Sequence, residues 1–111
     1  MLHLVTFTPA GMRHYISPDN THPRMRQDES IELHLEPQNK FDNFAVEIFW
    51  GSQVSGKLIK IGYVPKPLNQ AIFALLKANY NLQANIAHAG SAVITISLIE
   101  EISPLDNEIP F

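Results

Sequence analysis

Leu35-Glu36-Pro37-Gln38-Asn39-Lys40-Phe41-Asp42-Asn43-Phe44-Ala45-Val46 is a polar corner set between two apolar runs. Before it, Ile31, Leu33 and Leu35 alternate with Glu32, His34 and Glu36, the period-2 pattern of a strand with one buried face. Pro37 fixes its own φ and biases Glu36 toward an extended backbone, so no helix continues through the pair. Asn39, Asp42 and Asn43 carry short polar side chains that bond nearby backbone and stabilise turns. Residues 45–50 then read as a second strand, and the corner joins the two. Phe41 sits in the middle of that corner. Either its ring plugs the core or it stands exposed on a loop held by a rigid scaffold, where binding residues concentrate.

Working outward, Leu2–Phe7 alternates as a strand, with Leu2, Leu4 and Thr6 on one side and His3, Val5 and Phe7 on the other. Residues 11–27 hold Pro18, Pro23 and an Asp-Asn pair and read as a loop carrying Arg13, Arg24 and Arg26. After the corner, residues 51–56 are a polar turn and residues 57–64 a hairpin partner. Gly62 inside that strand signals a bulge or the close approach of another group. Leu68, Ala71, Ile72, Leu75 and Leu76 recur at helical spacing, which predicts a helix over 68–78 begun near Lys66 or Asn69. Residues 82–86 and 92–101 alternate as two more strands. The expected fold is mainly β, with about six strands and one or two helices. It would occupy residues 1–102, leaving 103–111 as an acidic tail.

The 111 residues suffice for one modest core. Cysteine is absent, which removes disulfides and thiolate chemistry and suits a reducing compartment. The opening apolar run is too short for a signal-peptide core or a membrane span, so a soluble cytoplasmic protein without membrane association is expected. Net charge is −3, but four of the eleven acidic residues lie in the last twelve positions. Residues 1–99 are near neutral, with eight Lys and Arg against seven Asp and Glu. Any nucleic-acid contact must therefore be local rather than driven by a general basic field.

The corner together with Lys60-Ile61-Gly62-Tyr63-Val64-Pro65 resembles the HIRAN domain family. That family's pattern runs Glu-Pro-x-Asn-x-Tyr-Asp-x-x-Ala-Ile/Val, then Ile-Gly-Tyr-Val-Pro and a helix. Gly11-Met12-Arg13-His14-Tyr15 is similar to its upstream Gly-x-Arg-Tyr-Tyr stretch. The resemblance implies a small six-stranded OB-like or SH3-like barrel, and a module that binds single-stranded DNA at a free 3′ end, in repair or at replication forks. The family's ATPase lies outside the matching stretch, so a helicase or ATPase acting in trans is the implied partner. By the same resemblance Phe41 stacks on a terminal base and Asp42 bonds the 3′-hydroxyl. Arg13 and His14, followed by Tyr15, grip phosphate and base, and Tyr63 lines the pocket. Phe41 and His14 both stand where the family has Tyr. Lys40, beside the stacking residue, is the further candidate cation.

The residues alone support binding over chemistry. His3, His14, His22, His34 and His88 form no close ligand pair, so no metal is expected. No nucleophile elbow or phosphate-cradling glycine cluster is present, and neither an enzyme nor a cofactor is expected. Exposed aromatics beside a few cations are how single-strand binders hold bases and backbone. The alternative is a protein-interaction domain of the same fold that does not bind DNA, with Asp42 serving only as a turn cap.

Overall fold

The computed structural model describes residues 1–15, 25–53, 56–88, 90 and 92–99. The 103–111 tail, Arg24, His22 and most of the 11–27 loop lie outside the described residues. The elements are β1 (Leu2–Phe7), a 3-10 turn (Met12–His14), β2 (Ser30–Glu36), β3 (Ala45–Ser52), β4 (Lys57–Tyr63), α1 (Leu68–Lys77), β5 (Leu82–Ile86) and β6 (Ile94–Leu98). No helix among them is long and apolar enough to cross a membrane.

Six antiparallel strands form one sheet in the order β1-β6-β5-β2-β3-β4. The mainly β, six-stranded fold with one helix is as expected, and because the sheet is not closed the word barrel fits it only loosely. Its two halves, β1-β6-β5 and β2-β3-β4, share the single registered pair Ile31↔Ala84. At the other side the edge strands β1 and β4 do not form a ladder. A bridge between Ala10 and Tyr63 ties the chain just past β1 to the end of β4. Ala10 N–H donates to the Tyr63 carbonyl at 2.8 Å and Tyr63 N–H donates to the Ala10 carbonyl at 3.0 Å. Pro9, one residue earlier, has no N–H to extend that pairing.

The core follows from the alternating faces. Val46, Ile48, Ile61, Ile94 and Ile96 are wholly buried, joined by Trp50, Met25, and Ile72 and Phe73 of α1. Each large aliphatic side chain so buried contributes roughly 1.5–3 kcal/mol. The helix lays its Ile72 and Phe73 stripe on this face and ends at Asn79, whose φ of 65° lies in the left-handed region. Alternation in β1 breaks where the register shifts between His3 and Val5. Leu4 and Val5 both end up half-buried, so the expected strict two-sided division does not hold. The last strand is shorter than expected, Ile94–Leu98 within the 92–101 run.

Gly62 sits at the second irregularity, where β4 shifts against β3 beside Ile48 and Phe49. Its φ is +148°, and a Cβ there would lie 2.5 Å from the Ala10 carbonyl oxygen. Both readings of this glycine hold together: the strand bulges, and another backbone comes close enough to forbid a side chain.

Candidate functional site

The corner is a nest of side-chain-to-backbone bonds. Asn39 Oδ1 accepts from the N–H groups of Phe41 (2.8 Å) and Asp42 (3.1 Å). Asn39 Nδ2 donates to Glu36 Oε1 at 2.7 Å. Asp42 Oδ1 accepts the Phe44 N–H at 2.8 Å, so this aspartate is a turn cap. Its Oδ2 accepts from Asn69 Nδ2 at 2.6 Å, and Asn69, buried in the first turn of α1, also donates to the Phe44 carbonyl at 3.2 Å. The helix thus braces the corner through Asn69. An ionised carboxylate offers about four acceptor positions, and two of those on Asp42 are in use.

Held this way, the loop projects Phe41 into solvent. The ring is 90% exposed, which excludes the core-plug reading. A hollow lies on each side of it. One, of about 420 Å³, is lined by Lys40, Asn43, Lys66 and Gln70. The other, of about 510 Å³, is lined by Ala10, Asn39, Tyr63, Val64 and Pro65. Phe41, Asp42 and Lys66 border both. Lys66 is largely exposed, with its Nζ 3.8 Å from Asp42 Oδ2, a separation at which surface pairing contributes little.

Tyr63, one of the residues lining the second hollow, belongs to a mixed aromatic and ionic cluster. Tyr63 meets Tyr15 edge to face, with centroids 6.1 Å apart. Lys60 Nζ stands 4.6 Å from the Tyr15 centroid and 4.4 Å from that of Tyr63, within cation–π range. It donates to the Tyr63 hydroxyl at 2.8 Å and pairs with Glu47 at 3.1 Å, with Glu36 at 3.9 Å. The Tyr63 hydroxyl in turn donates to Glu36 Oε2 at 3.1 Å. Burial disfavours the Lys60 ammonium, yet Tyr63 and Glu47 outweigh it and raise the pKa above the ordinary lysine value. Burial likewise opposes ionisation of Glu36, but bonds from Asn39 and Tyr63 and the Lys60 charge hold its carboxyl below the usual range. Lys60 is therefore a fixed cation whose charge is already matched.

The structure places the seven sequence candidates as follows. Phe41, Asp42 and Tyr63 border one hollow, and Lys40 lines the neighbouring one beside Phe41. Tyr15 packs on Tyr63. Arg13 and His14 are exposed in the 3-10 turn directly before Tyr15, on a segment that reaches β4 through the Ala10 bridge. Among the described residues no group of three His, Asp or Glu could hold a metal. His34, for one, pairs with Glu32 at 2.9 Å and lies tilted against Phe49.

Sequence reasoning missed Lys60, Glu47 and the brace role of Asn69. Lys60 follows Ile59 and precedes Ile61, so alternation puts its side chain on the same face as the exposed Leu58, the ordinary signature of a solvated position. Only its spacing of three from Tyr63 hints at a partner.

Two solved structures have the same architecture. The HIRAN domain of human HLTF superposes with a TM-score of 0.62 at 16% identity, over 85% of this chain and 73% of that one. A protein from Lactobacillus plantarum gives a TM-score of 0.62 at 22% identity, over 87% of this chain and 91% of that one. At such identities the likeness concerns the fold. No curated protein matches the sequence significantly. The HIRAN domain family model matches residues 3–98, nearly the whole of the described sheet and helix, and the chain belongs to the HIRAN domain family.

Proposed function

We propose that this domain binds nucleic acid at the paired hollows around Phe41, taking single-stranded DNA by a free 3′-hydroxyl end. HIRAN domains are in general DNA-binding modules, and membership supports the broad reading. The observation that carries the finer one is an aromatic ring 90% exposed, with a hollow on either side and Asp42 shared by both. A ring so placed offers a base its face, at a stacking energy of roughly 1–3 kcal/mol. Asp42 Oδ1 and Oδ2 each keep acceptor capacity for a hydroxyl donor. Lys40, Lys66 and Arg13 are the cations available to phosphate. The domain acts as a cytoplasmic binding module without chemistry of its own, serving repair or replication-fork work done by a helicase or ATPase in trans.

End chemistry tests the role of Asp42. A 3′-phosphate removes the donor and brings a second negative group against the carboxylate, so it should bind at least about tenfold more weakly than a 3′-hydroxyl. A titration of otherwise identical single strands decides this, and equal affinities would remove the assignment. Binding to neither strand at low salt would favour the protein-interaction reading.

Stacking and charge are separable in the same assay. Phe41→Ala should weaken binding by about 5- to 150-fold while leaving the melting temperature and the salt dependence in place. Arg13→Ala should flatten the slope of log K against log salt by about 0.7, one single-strand phosphate contact. If both variants change the slope alike, the ring is not acting by stacking.

A further inference from the structure

The cation closest to the aromatic wall is not one of those free to meet phosphate. Lys60 Nζ has four neighbours: the Tyr15 ring, 4.6 Å from its centroid, the Tyr63 hydroxyl at 2.8 Å, Glu47 at 3.1 Å and Glu36 at 3.9 Å. Its side chain is only 23% exposed, against 71% for Lys66. With Glu36 and Glu47 beside it, the local charge is −1, so this spot does not attract a phosphate. A phosphate reaching Lys60 would have to displace two carboxylates and approach them both.

What Lys60 can do is fix the wall. Tyr15 belongs to the segment after β1 and Tyr63 to the end of β4. Their backbones are joined through Ala10, not through the rings themselves. The ring centroids lie 6.1 Å apart, and Lys60 links the two residues by sitting 4.6 Å from the Tyr15 ring centroid while bonding the Tyr63 hydroxyl. Remove the ammonium, and the Tyr63 hydroxyl keeps Glu36 as its acceptor while Tyr15 loses its cation and keeps its direct contact with Tyr63.

We propose that Lys60 is a positioning residue for the end-binding hollow: it ties Tyr15 to Tyr63 and so holds Tyr63, which lines that hollow together with Phe41, and it makes no phosphate contact. The inference rests on the nucleic-acid reading above, and its test separates the two. Single-strand affinity and its salt slope are measured for the parent, Lys60→Met, Lys60→Arg and the charge-matched pair K60M/E47Q. The parent must bind first; without that, the nucleic-acid reading fails and the inference with it.

Lys60→Met should weaken binding about tenfold, a part of the stacking energy, with the parental salt slope. Lys60→Arg, which can lie between two rings and pair with carboxylates, should recover most of the loss. The charge-matched pair should stay weak. A slope flattened by about 0.7 in Lys60→Met would mark Lys60 as a phosphate contact and overturn the proposal. So would parental affinity in Lys60→Met or in K60M/E47Q. A measurement on the unaltered protein covers the case in which Lys60→Met fails to fold. The ε-methylene protons of Lys60, next to an ammonium held 4.6 Å from the Tyr15 ring centroid, should resonate upfield and stay there when oligonucleotide is added. Their return to ordinary shifts on binding would show Lys60 leaving the rings for the strand.

Discussion

Gly62→Ala should lower the melting temperature by about 15 °C or more, the consequence of some 3–4 kcal/mol at roughly 4–8 °C per kcal/mol for a domain of this size. Two costs combine. A φ of +148° is a conformation L side chains rarely adopt, and the new Cβ would sit 2.5 Å from the Ala10 carbonyl, a backbone atom that cannot rotate away. Gly56 provides the internal control. It also has positive φ, +70°, but a Cβ there meets nothing within 4 Å. Gly56→Ala should therefore cost about 1 kcal/mol, the conformational part alone. Thermal unfolding of the two variants side by side is the test. If Gly62→Ala melts within a few degrees of Gly56→Ala, the Ala10–Tyr63 bridge is not a tight constraint. Because that bridge also holds the segment of Arg13, His14 and Tyr15 against β4, any Gly62→Ala protein that folds should bind more weakly too.

Glu29→Ala should be of similar size, on the order of 3–5 kcal/mol, since it strands the buried Trp50 donor and two part-buried backbone donors at once. Glu29 is 2% exposed. Its Oε1 accepts from Arg26 N–H at 2.8 Å and Trp50 Nε1–H at 2.9 Å, and its Oε2 from Gln53 N–H at 2.6 Å. Burial alone would raise its pKa, but the bonds from Gln53, Trp50 and Arg26 outweigh burial and hold the carboxyl below its ordinary value. A folded-state pKa below the unfolded one means stability that is fully present above the unfolded pKa, near 4.5, and lost as pH falls through the folded value. Glu36, depressed in the same direction, adds to the effect. Denaturant melts between neutral pH and about pH 3 should show the parent weakening steeply, and Glu29→Gln, weaker at neutral pH, should show a shallower fall. Parallel profiles would mean that Glu29 does not titrate with unfolding.

Much of this fold is legible because its signals are local. The Glu36-Pro37 break and the Asn and Asp residues after it announce a turn, and a turn with Asp42 as its cap is what forms. The stripe of Leu68, Ile72 and Leu76 announces α1, and Gly62 its own bulge. What stayed hidden depends on residues distant in sequence. The open sheet turns on β2 and β5 sharing Ile31↔Ala84 and on β1 stopping short of a ladder with β4, neither of which alternation encodes. Glu29 and Lys60 were hidden for a different reason. Charged residues are seldom buried, so pattern reading sends both to the surface, and part of what holds them lies far off in sequence: Trp50 and Gln53, 21 and 24 residues away, for Glu29, and Glu47 on the neighbouring strand for Lys60. Phe41 shows the converse: an aromatic ring by type belongs inside, and the bonds of Asn39 and Asp42 hold it out.

The pairing of β1 with β6, from Leu2↔Leu98 to Phe7↔Ile94, has a consequence for how the chain is made. On the ribosome the first strand emerges some ninety residues before its ladder partner. The β2-β3-β4 meander can assemble meanwhile from near neighbours, with the Ala10–Tyr63 bridge as the earliest hold on the N-terminal segment. Pairings this distant are slow to form, because the loop between them must close before any contact rewards it. Of the six strands, β1 is thus among the last to find its place, and until it does Leu4, Val5 and Phe7 remain open to wrong partners.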